Sequence, residues 1–366
     1  MKIVCVAGAR PNFMKIAPVM AALEHAAPPF EVVLIHTGQH YDKEMSERHF
    51  TDLGIRAPDL CLDVGSGSHA LQTAEVMKRF EPVLDRGPVA LVLVVGDVNS
   101  TLACALVAAK KGIRVAHVEA GLRSFDRAMP EEVNRVLTDQ ISDFLFTTER
   151  GAAANLAREG IDPSRVHFVG NVMIDSLRRN LARAVVPSAL PGSYAVLTLH
   201  RPSNVDEEGV LRRLLETMRT VGAQLPVRFL VHPRTRTAID RFGLAYLLAA
   251  PQVVALPPLG YLEMLGLMRD ARVVLTDSGG MQEETTALGV PCITLRDTTE
   301  RPVTVEEGTN VVVGRDSERI LAVVREVLAG GGKAGRVPEL WDGHAAERIA
   351  AVLHARLRAE CAAKAA

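Results

Sequence analysis

Short, almost wholly apolar runs alternate along this chain with longer stretches whose apolar positions recur every three or four residues. A continuous apolar run of four to eight residues predicts a strand covered on both faces, and the longer period predicts an amphipathic helix. The runs predict strands at 2–7, 31–36, 89–95, 113–118, 143–147 and 166–169. Helices are expected between them, near 14–25, 69–85, 99–110, 130–141, 149–158 and 171–183. The segment V-V-P-S-A-L-P-G-S (185–193) interrupts the pattern with proline and glycine and reads as a linker. The alternation then restarts, with strands near 194–199, 227–231, 252–255, 272–276 and 291–294. Helices near 206–222, 235–242, 260–269 and 279–288 interleave with them, and helices at 316–329 and 343–364 follow. Strand–helix alternation of this kind predicts an α/β protein with parallel sheets, here two doubly wound halves facing a cleft.

Composition narrows the class. At 366 residues the chain exceeds one ordinary core, which agrees with two domains. Lys+Arg 42 against Asp+Glu 43 leaves a net charge of -1, so a nucleic-acid partner, which needs a basic face, is not expected. The longest apolar run, Val89 to Val95, is far too short to span a bilayer, so no membrane partner is expected either. Five scattered cysteines without a C-x-x-C pair, and an N-terminus that enters a strand directly, point to a reduced, cytoplasmic protein.

The chemistry gathers where strands end, which is where α/β proteins bind ligands. The densest stretch is V-A-H-V-E-A-G-L-R-S-F-D-R-A-M-P-E-E-V-N-R (115–135). It runs a strand into Glu119 and a loop with Arg123, then opens a helix at Pro130 with Glu131 and Glu132 in its first turn. G-A-R-P-N-F-M-K (8–15) follows the first strand with Arg10 and Lys15 entering a helix, which suits an anion. V-V-G-D-V-N-S-T (94–101) places Asp97 at a strand end, where a helix cap is the equally good structural reading. L-T-L-H-R-P-S-N-V-D (197–206) and V-H-P-R-T (231–235) each set a histidine after a strand, His200 and His232.

T-D-S-G-G-M-Q-E-E (276–284) reads as a phosphate cradle. Ser278, Gly279 and Gly280 let backbone N–H groups approach a ligand at the positive end of a helix, with Glu284 about one turn in. T-T-E-R-P-V-T (298–304) adds Glu300 and Arg301. The sequence contains no G-x-G-x-x-G, no Walker loop, no G-x-S-x-G and no H-E-x-x-H. His117-Val-Glu119 lacks the C-x-x-C that a zinc deaminase needs. Neither a dinucleotide cofactor nor a metal is therefore expected.

Taken in order from residue 1 to about residue 314, these segments resemble the non-hydrolysing UDP-N-acetylglucosamine 2-epimerases. The resemblance rests on G-A-R-P-N-F-M-K, T-G-Q-H-Y, G-D-V-N-S-T, H-V-E-A-G-L-R-S, M-P-E-E-V-N-R, H-R-P-S-N-V-D, D-S-G-G-M-Q-E-E and T-E-R-P-V-T-V-E-E-G-T-N. It implies a GT-B-like fold of two Rossmann-like domains, residues 1–184 completed by the C-terminal helix 343–366, and residues 185–342. It implies a cytoplasmic homodimer that interconverts UDP-N-acetylglucosamine and UDP-N-acetylmannosamine, feeding cell-surface polysaccharide synthesis.

Carbon 2 of that sugar has no neighbouring carbonyl, so a cofactor-free route is elimination of UDP to a glycal and re-addition. Such a route needs cations for the departing diphosphate and carboxylates beside a developing oxocarbenium ion. By resemblance, Asp97, Glu119, Glu131 and His200 are the catalytic set. Arg10, Ser278, Gly279, Gly280 and Arg301 would bind the diphosphate and Glu284 the ribose, with Lys15, Arg123 and His232 as further binding candidates. A hydrolysing relative that releases N-acetylmannosamine and UDP, and a 2-epimerase of a modified UDP-amino sugar, share these motifs and remain open. Many bacterial members also carry a regulatory substrate site built from a Q-H and a later Arg-Gln pair. Here Gln39-His40 is present, but G-S-G-S-H-A-L-Q-T (65–73) lacks the arginine.

Overall fold

The computed structural model describes residues 1–38, 53–186, 193–249 and 251–365, except the side chains of Arg10 and of residues 360–365. Gln39 and His40 lie outside the described residues. The chain divides into two compact units, Met1–Arg179 with Glu339–Ala366, and Asn180–Pro338.

The first unit holds a seven-stranded sheet: β1 (Lys2–Ala7), β2 (Glu31–His36), β3 (Leu60–Cys61), β4 (Leu91–Val95), β5 (Arg114–Ala120), β6 (Phe144–Thr147) and β7 (Val166–Phe168). The order is β3-β2-β1-β4-β5-β6-β7, and the paired strands are parallel. The sheet therefore reverses its winding between β1 and β4, the place where doubly wound sheets open a crevice at their carboxyl ends. Val4, Val6, Val92, Val94 and Val115 pack with Phe80 and Ala103 into one core. Asn12 fastens the crevice. Its side-chain oxygen accepts the Gly8 and Ala9 N–H groups at 3.0 and 2.9 Å, and its amide donates to the Val95 carbonyl at 3.1 Å.

The second unit repeats the scheme with β8 (Ala195–Leu199), β9 (Val227–Val231), β10 (Val253–Leu256), β11 (Val273–Thr276), β12 (Cys292–Thr294) and β13 (Asn310–Val312). The order β10-β9-β8-β11-β12-β13 is again parallel and reverses between β8 and β11. The helix Glu208–Gly222 shows how sequence drives the packing. Val210, Leu211, Leu214, Leu215, Met218 and Val221 are its buried stripe, at helical spacing. The helix Gly279–Leu288 ends on Gly289 in the left-handed region, the ordinary glycine stop.

The differences from the sequence expectation have local causes. β3 is two residues long and shows no pattern of its own. β13 is three residues and follows an acidic turn. The first helix begins at Arg10 rather than near residue 14, because Pro11 fits a helical first turn. The expected helix from 206 resolves into Pro202–Val205 and Glu208–Gly222. Among the described residues no helix is long and apolar enough to cross a membrane.

Candidate active site

In the first unit the carboxylates stand at the carboxyl ends of β4 and β5. Glu119 sits on a β-bulge: Val118 pairs with Phe146 and Ala120 with Thr147, so Glu119 is the extra residue. Its φ is 77°, in the left-handed region that a glutamate enters only under constraint. A bulge re-aims one side chain without moving the strand. Here it delivers the Glu119 carboxylate to Lys15 Nζ, in an ion pair whose side chains are 2% and 9% exposed. Gly96 makes room for the ammonium, since a Cβ there would lie 3.2 Å from Lys15 Nζ. Lys15 is thus placed on a catalytic candidate, and nothing is described of the Arg10 side chain beyond its start of the helix.

Asp97 follows Gly96 and remains half-buried. Arg135 lies beside it, Nε to Oδ2 3.3 Å. The first turn of the helix Pro130–Ile141 separates its two glutamates. Glu132 accepts Ser124 N, Ser124 Oγ and Phe125 N at 3.0, 3.0 and 2.9 Å and pairs with Arg135 at 3.2 Å, so its lone pairs are used. Glu131 is half-buried, and no hydrogen bond or ion pair among the described residues engages its carboxylate. Of the two, only Glu131 is chemically available.

Arg123 needs correction as a ligand-binding candidate. It is buried, and all three guanidinium nitrogens are occupied: Nε by Glu159 (2.7 Å), Nη1 by the Leu122 carbonyl (2.7 Å), and Nη2 by Asp139 and Glu159 (2.7 and 2.6 Å). Burial works against its charge, yet Glu159 and Asp139 hold it more firmly protonated than an ordinary arginine. Asp139 in turn contacts His117 Nδ1 at 2.7 Å, while His117 Nε2 lies 2.8 Å from the Gly96 carbonyl. Burial opposes the charge on Asp139, but His117 and then Arg123 keep its carboxyl below the usual range. This chain braces the two strand ends that carry Asp97 and Glu119.

In the second unit His200 directly follows β8, and Asp277 directly follows β11. The strands flank the point where the winding reverses. His200 Nδ1 lies 2.7 Å from Asp277 Oδ1. The Asp277 carboxylate also accepts the His200 and Arg201 N–H groups at 3.0 and 2.9 Å and the Asn204 amide at 3.0 Å. Burial would raise its pKa, but the bonds from His200 and the backbone bring it down to about 2. A carboxylate at Nδ1 sets the ring orientation and leaves Nε2 as the nitrogen for acid–base work. The His232 ring is 5.7 Å from that of His200, and its Nδ1 accepts Arg234 N as a helix cap.

The helix Gly279–Leu288 starts at this same end. Ser278 and Gly280 are partly accessible, but Gly279 is covered: a Cβ there would meet Glu300 Oε1 at 2.7 Å. Gly279 therefore serves close packing, with Glu300 against the helix N-terminus. Glu300 pairs with Arg296 at 2.7 Å and Arg201 at 3.6 Å. Burial opposes its charge, but Arg301, Arg296 and Arg201 depress its pKa strongly. Arg301 is buried and pairs with Glu283 at 2.8 Å. Glu284 is buried, takes a hydrogen bond from Tyr261 Oη at 3.1 Å, and is pushed up to about 7 by burial, against the Tyr261 bond and with Glu283 adding to the rise.

Sequence reasoning did not single out Asp277, Arg135, His117–Asp139, Arg296 or Tyr261 as parts of these sites. Asp277 had a signal, since it is the first residue after a strand in a motif already read as a cradle. His117–Asp139 and Tyr261 are joined to the site by contacts across 20 or more residues, and Arg135 reaches Asp97 across 38. Among the described residues no group of three His, Cys, Asp or Glu is placed to hold a metal.

Fold and sites together define a two-unit α/β enzyme with paired carboxylates, an oriented histidine and an arginine-rich helix terminus. The chain belongs to the UDP-N-acetylglucosamine 2-epimerase family, whose profile matches residues 22–354. It is 41% identical over 365 residues to the UDP-N-acetylglucosamine 2-epimerase of Methanocaldococcus jannaschii, covering 96% of this chain and 99% of that one. The crystal structure of the M. jannaschii enzyme with UDP-GlcNAc and UDP aligns with a TM-score of 0.90, covering 97% and 99% of the two chains. A Pseudomonas aeruginosa UDP-2,3-diacetamido-2,3-dideoxy-D-glucuronate 2-epimerase is 42% identical over 333 residues, 90% of this chain and 92% of that one. The fold is GT-B-like, as it is in these structural neighbours.

Proposed function

We propose that the enzyme interconverts UDP-N-acetylglucosamine and UDP-N-acetylmannosamine by eliminating UDP to a glycal and adding it back on the other face. The observation that carries the reading is Glu119, a buried carboxylate aimed by a strained bulge and charge-balanced by Lys15. Neutral packing has no use for this arrangement, whereas loss and return of a proton at carbon 2 does. Asp97 and Glu119 handle the carbon 2 proton, Glu131 supports them, and His200, held by Asp277, assists the leaving phosphate. Ser278, Gly280, Arg10 and Arg301 belong to diphosphate binding, Gly279 to the packing that shapes it, and Glu284 to the ribose. No redox cofactor enters this route. The same reading places the enzyme in the cytoplasm as a homodimer supplying polysaccharide synthesis.

Proton NMR of UDP-N-acetylglucosamine with the enzyme in deuterated water tests this. Deuterium at carbon 2 with UDP-N-acetylmannosamine signals is the expected result. Free N-acetylmannosamine and UDP as main products would make the enzyme a hydrolysing one. A second reading, epimerisation of a 2,3-diacetamido uronic acid, is favoured by the P. aeruginosa relative, which is as similar as the relatives acting on UDP-N-acetylglucosamine. It predicts exchange on that sugar nucleotide alone.

A further inference from the structure

We propose that Arg135 is the positioning residue for Asp97: a buried guanidinium that fixes the aim of the carboxylate without touching the substrate. The inference rests on the role given to Asp97 above and extends it to a residue with no assigned part.

Three observations carry it. Arg135 is 2% exposed, an unusual site for a guanidinium, and it faces two carboxylates at once. Nε lies 3.3 Å from Asp97 Oδ2, and Nη1 lies 3.2 Å from Glu132 Oε2. The second contact is the anchor. Glu132 is already fixed by three donors from Ser124 and Phe125, so the guanidinium faces, through an ion pair rather than a hydrogen bond, a carboxylate that cannot swing. The single Nε hydrogen is donated to the Glu131 carbonyl at 3.3 Å, which ties the guanidinium to its own helix and leaves the Asp97 contact an ion pair.

The same helix holds the Asp97 backbone independently. Asn134 Nδ2 donates to the Asp97 carbonyl at 2.9 Å and to Asn99 Oδ1 at 3.2 Å. Asp139 acts on the preceding residue through His117 and the Gly96 carbonyl. Backbone and side chain of residue 97 are therefore gripped by different residues. With the turn secured by Asn134 and Asp139, Arg135 is left with one task, the direction of the side chain. A guanidinium suits it, because the Glu131 carbonyl and Glu132 hold its plane while its charge faces Asp97, a fixed placement that a flexible ammonium does not reproduce. A misplacement of about 1 Å at a reacting group costs on the order of a hundredfold in rate.

The test is R135M and R135K beside wild type, with kcat and KM from carbon 2 deuterium exchange, UDP affinity by calorimetry and melting by circular dichroism. R135M is expected to lose on the order of a hundredfold in kcat, with KM and UDP affinity nearly unchanged. R135K is expected to recover part of the loss, because the charge returns without the plane that the Glu131 carbonyl and Glu132 hold. Wild-type kcat in R135M overturns the proposal. So does a raised KM at unchanged kcat, which would mean direct substrate contact. Equal inactivity and equal loss of melting temperature in both variants would mean a purely structural role, and also overturns it. If wild type exchanges no carbon 2 proton on either sugar nucleotide, the functional reading fails instead. A crystal structure of R135M then decides for Arg135: a rotated Asp97 carboxylate on an unmoved 96–97 turn supports it, and an unmoved carboxylate refutes it.

Discussion

Replacing Glu284 with glutamine removes a titrating group from the interior of the second unit and keeps its shape. The Glu284 carboxyl is fully buried and titrates at about 7 rather than the ordinary 4.5, chiefly through burial. At about 1.4 kcal/mol per pH unit, that displacement is worth about 3 kcal/mol. The sign follows from proton counts. Between the two values the folded protein holds a proton that the unfolded chain has released, so stability falls as pH rises. Wild type should therefore lose about 3 kcal/mol relative to E284Q on going from below pH 4.5 to above pH 7. Urea unfolding of both proteins at pH 5 and pH 8, followed by circular dichroism, measures most of this difference. A ribose that donates its hydroxyls to the carboxylate adds a second signature. UDP binding then expels the proton, and affinity weakens roughly tenfold per pH unit below 7 in wild type but not in E284Q. Parallel pH dependence of the two proteins in urea would falsify the account of the buried carboxyl.

Glu119→Gln should abolish carbon 2 exchange in the NMR assay while UDP affinity stays within a few-fold; full activity would remove Glu119 from the chemistry. Asp277→Asn should lower kcat by on the order of a hundredfold or more, through loss of the acceptor that orients His200. The wild-type Asp277 carboxyl titrates at about 2, below its unfolded value, so its stabilisation is present above pH 4 and fades as pH falls toward 2. D277N should accordingly show a flatter acid limb in unfolding. Arg123→Met leaves Asp139 and Glu159 without their shared cation, and should cost about 3–5 kcal/mol of stability, read as a lowered urea midpoint. An unchanged midpoint would refute the bracing role of Arg123.

Local elements were legible in the chain because they follow from local pattern. The runs at 2–7, 31–36 and 227–231 and the helices at 130–141 and 279–288 coincide with the observed bounds. The winding is not local. Nothing in K-I-V-C-V-A says that its neighbours will be β2 and β4, because sheet order is settled by which helices cover which face. The site divides in the same way. Motifs located the loops, but side-chain partnerships within them are properties of space. Arg123 reads as a free loop cation until Glu159, 36 residues later, and Asp139 are seen to enclose it. Residue type alone does not separate Glu131 from Glu132; the resemblance picks Glu131, and the Ser124 and Phe125 donors show the physical difference by engaging Glu132. The bulge at Glu119 leaves no mark in composition, since glutamate is a poor residue for that backbone.

The last segment of the chain returns to the unit begun by the first. Trp341 Nε1 donates to the Thr148 carbonyl at 3.0 Å, and Asp175 caps the final helix at Ala345 and Ala346 N–H with 3.1 and 2.7 Å bonds. During synthesis, everything from Asn180 to Pro338 is made before these partners exist. The second unit is one continuous stretch, while the unit holding Asp97 and Glu119 stays open until residues made 170 and 193 positions after Asp175 and Thr148 arrive. A chain cut off after residue 338 would carry the whole stretch of its second unit and leave the first unsealed, a natural substrate for chaperones and proteases.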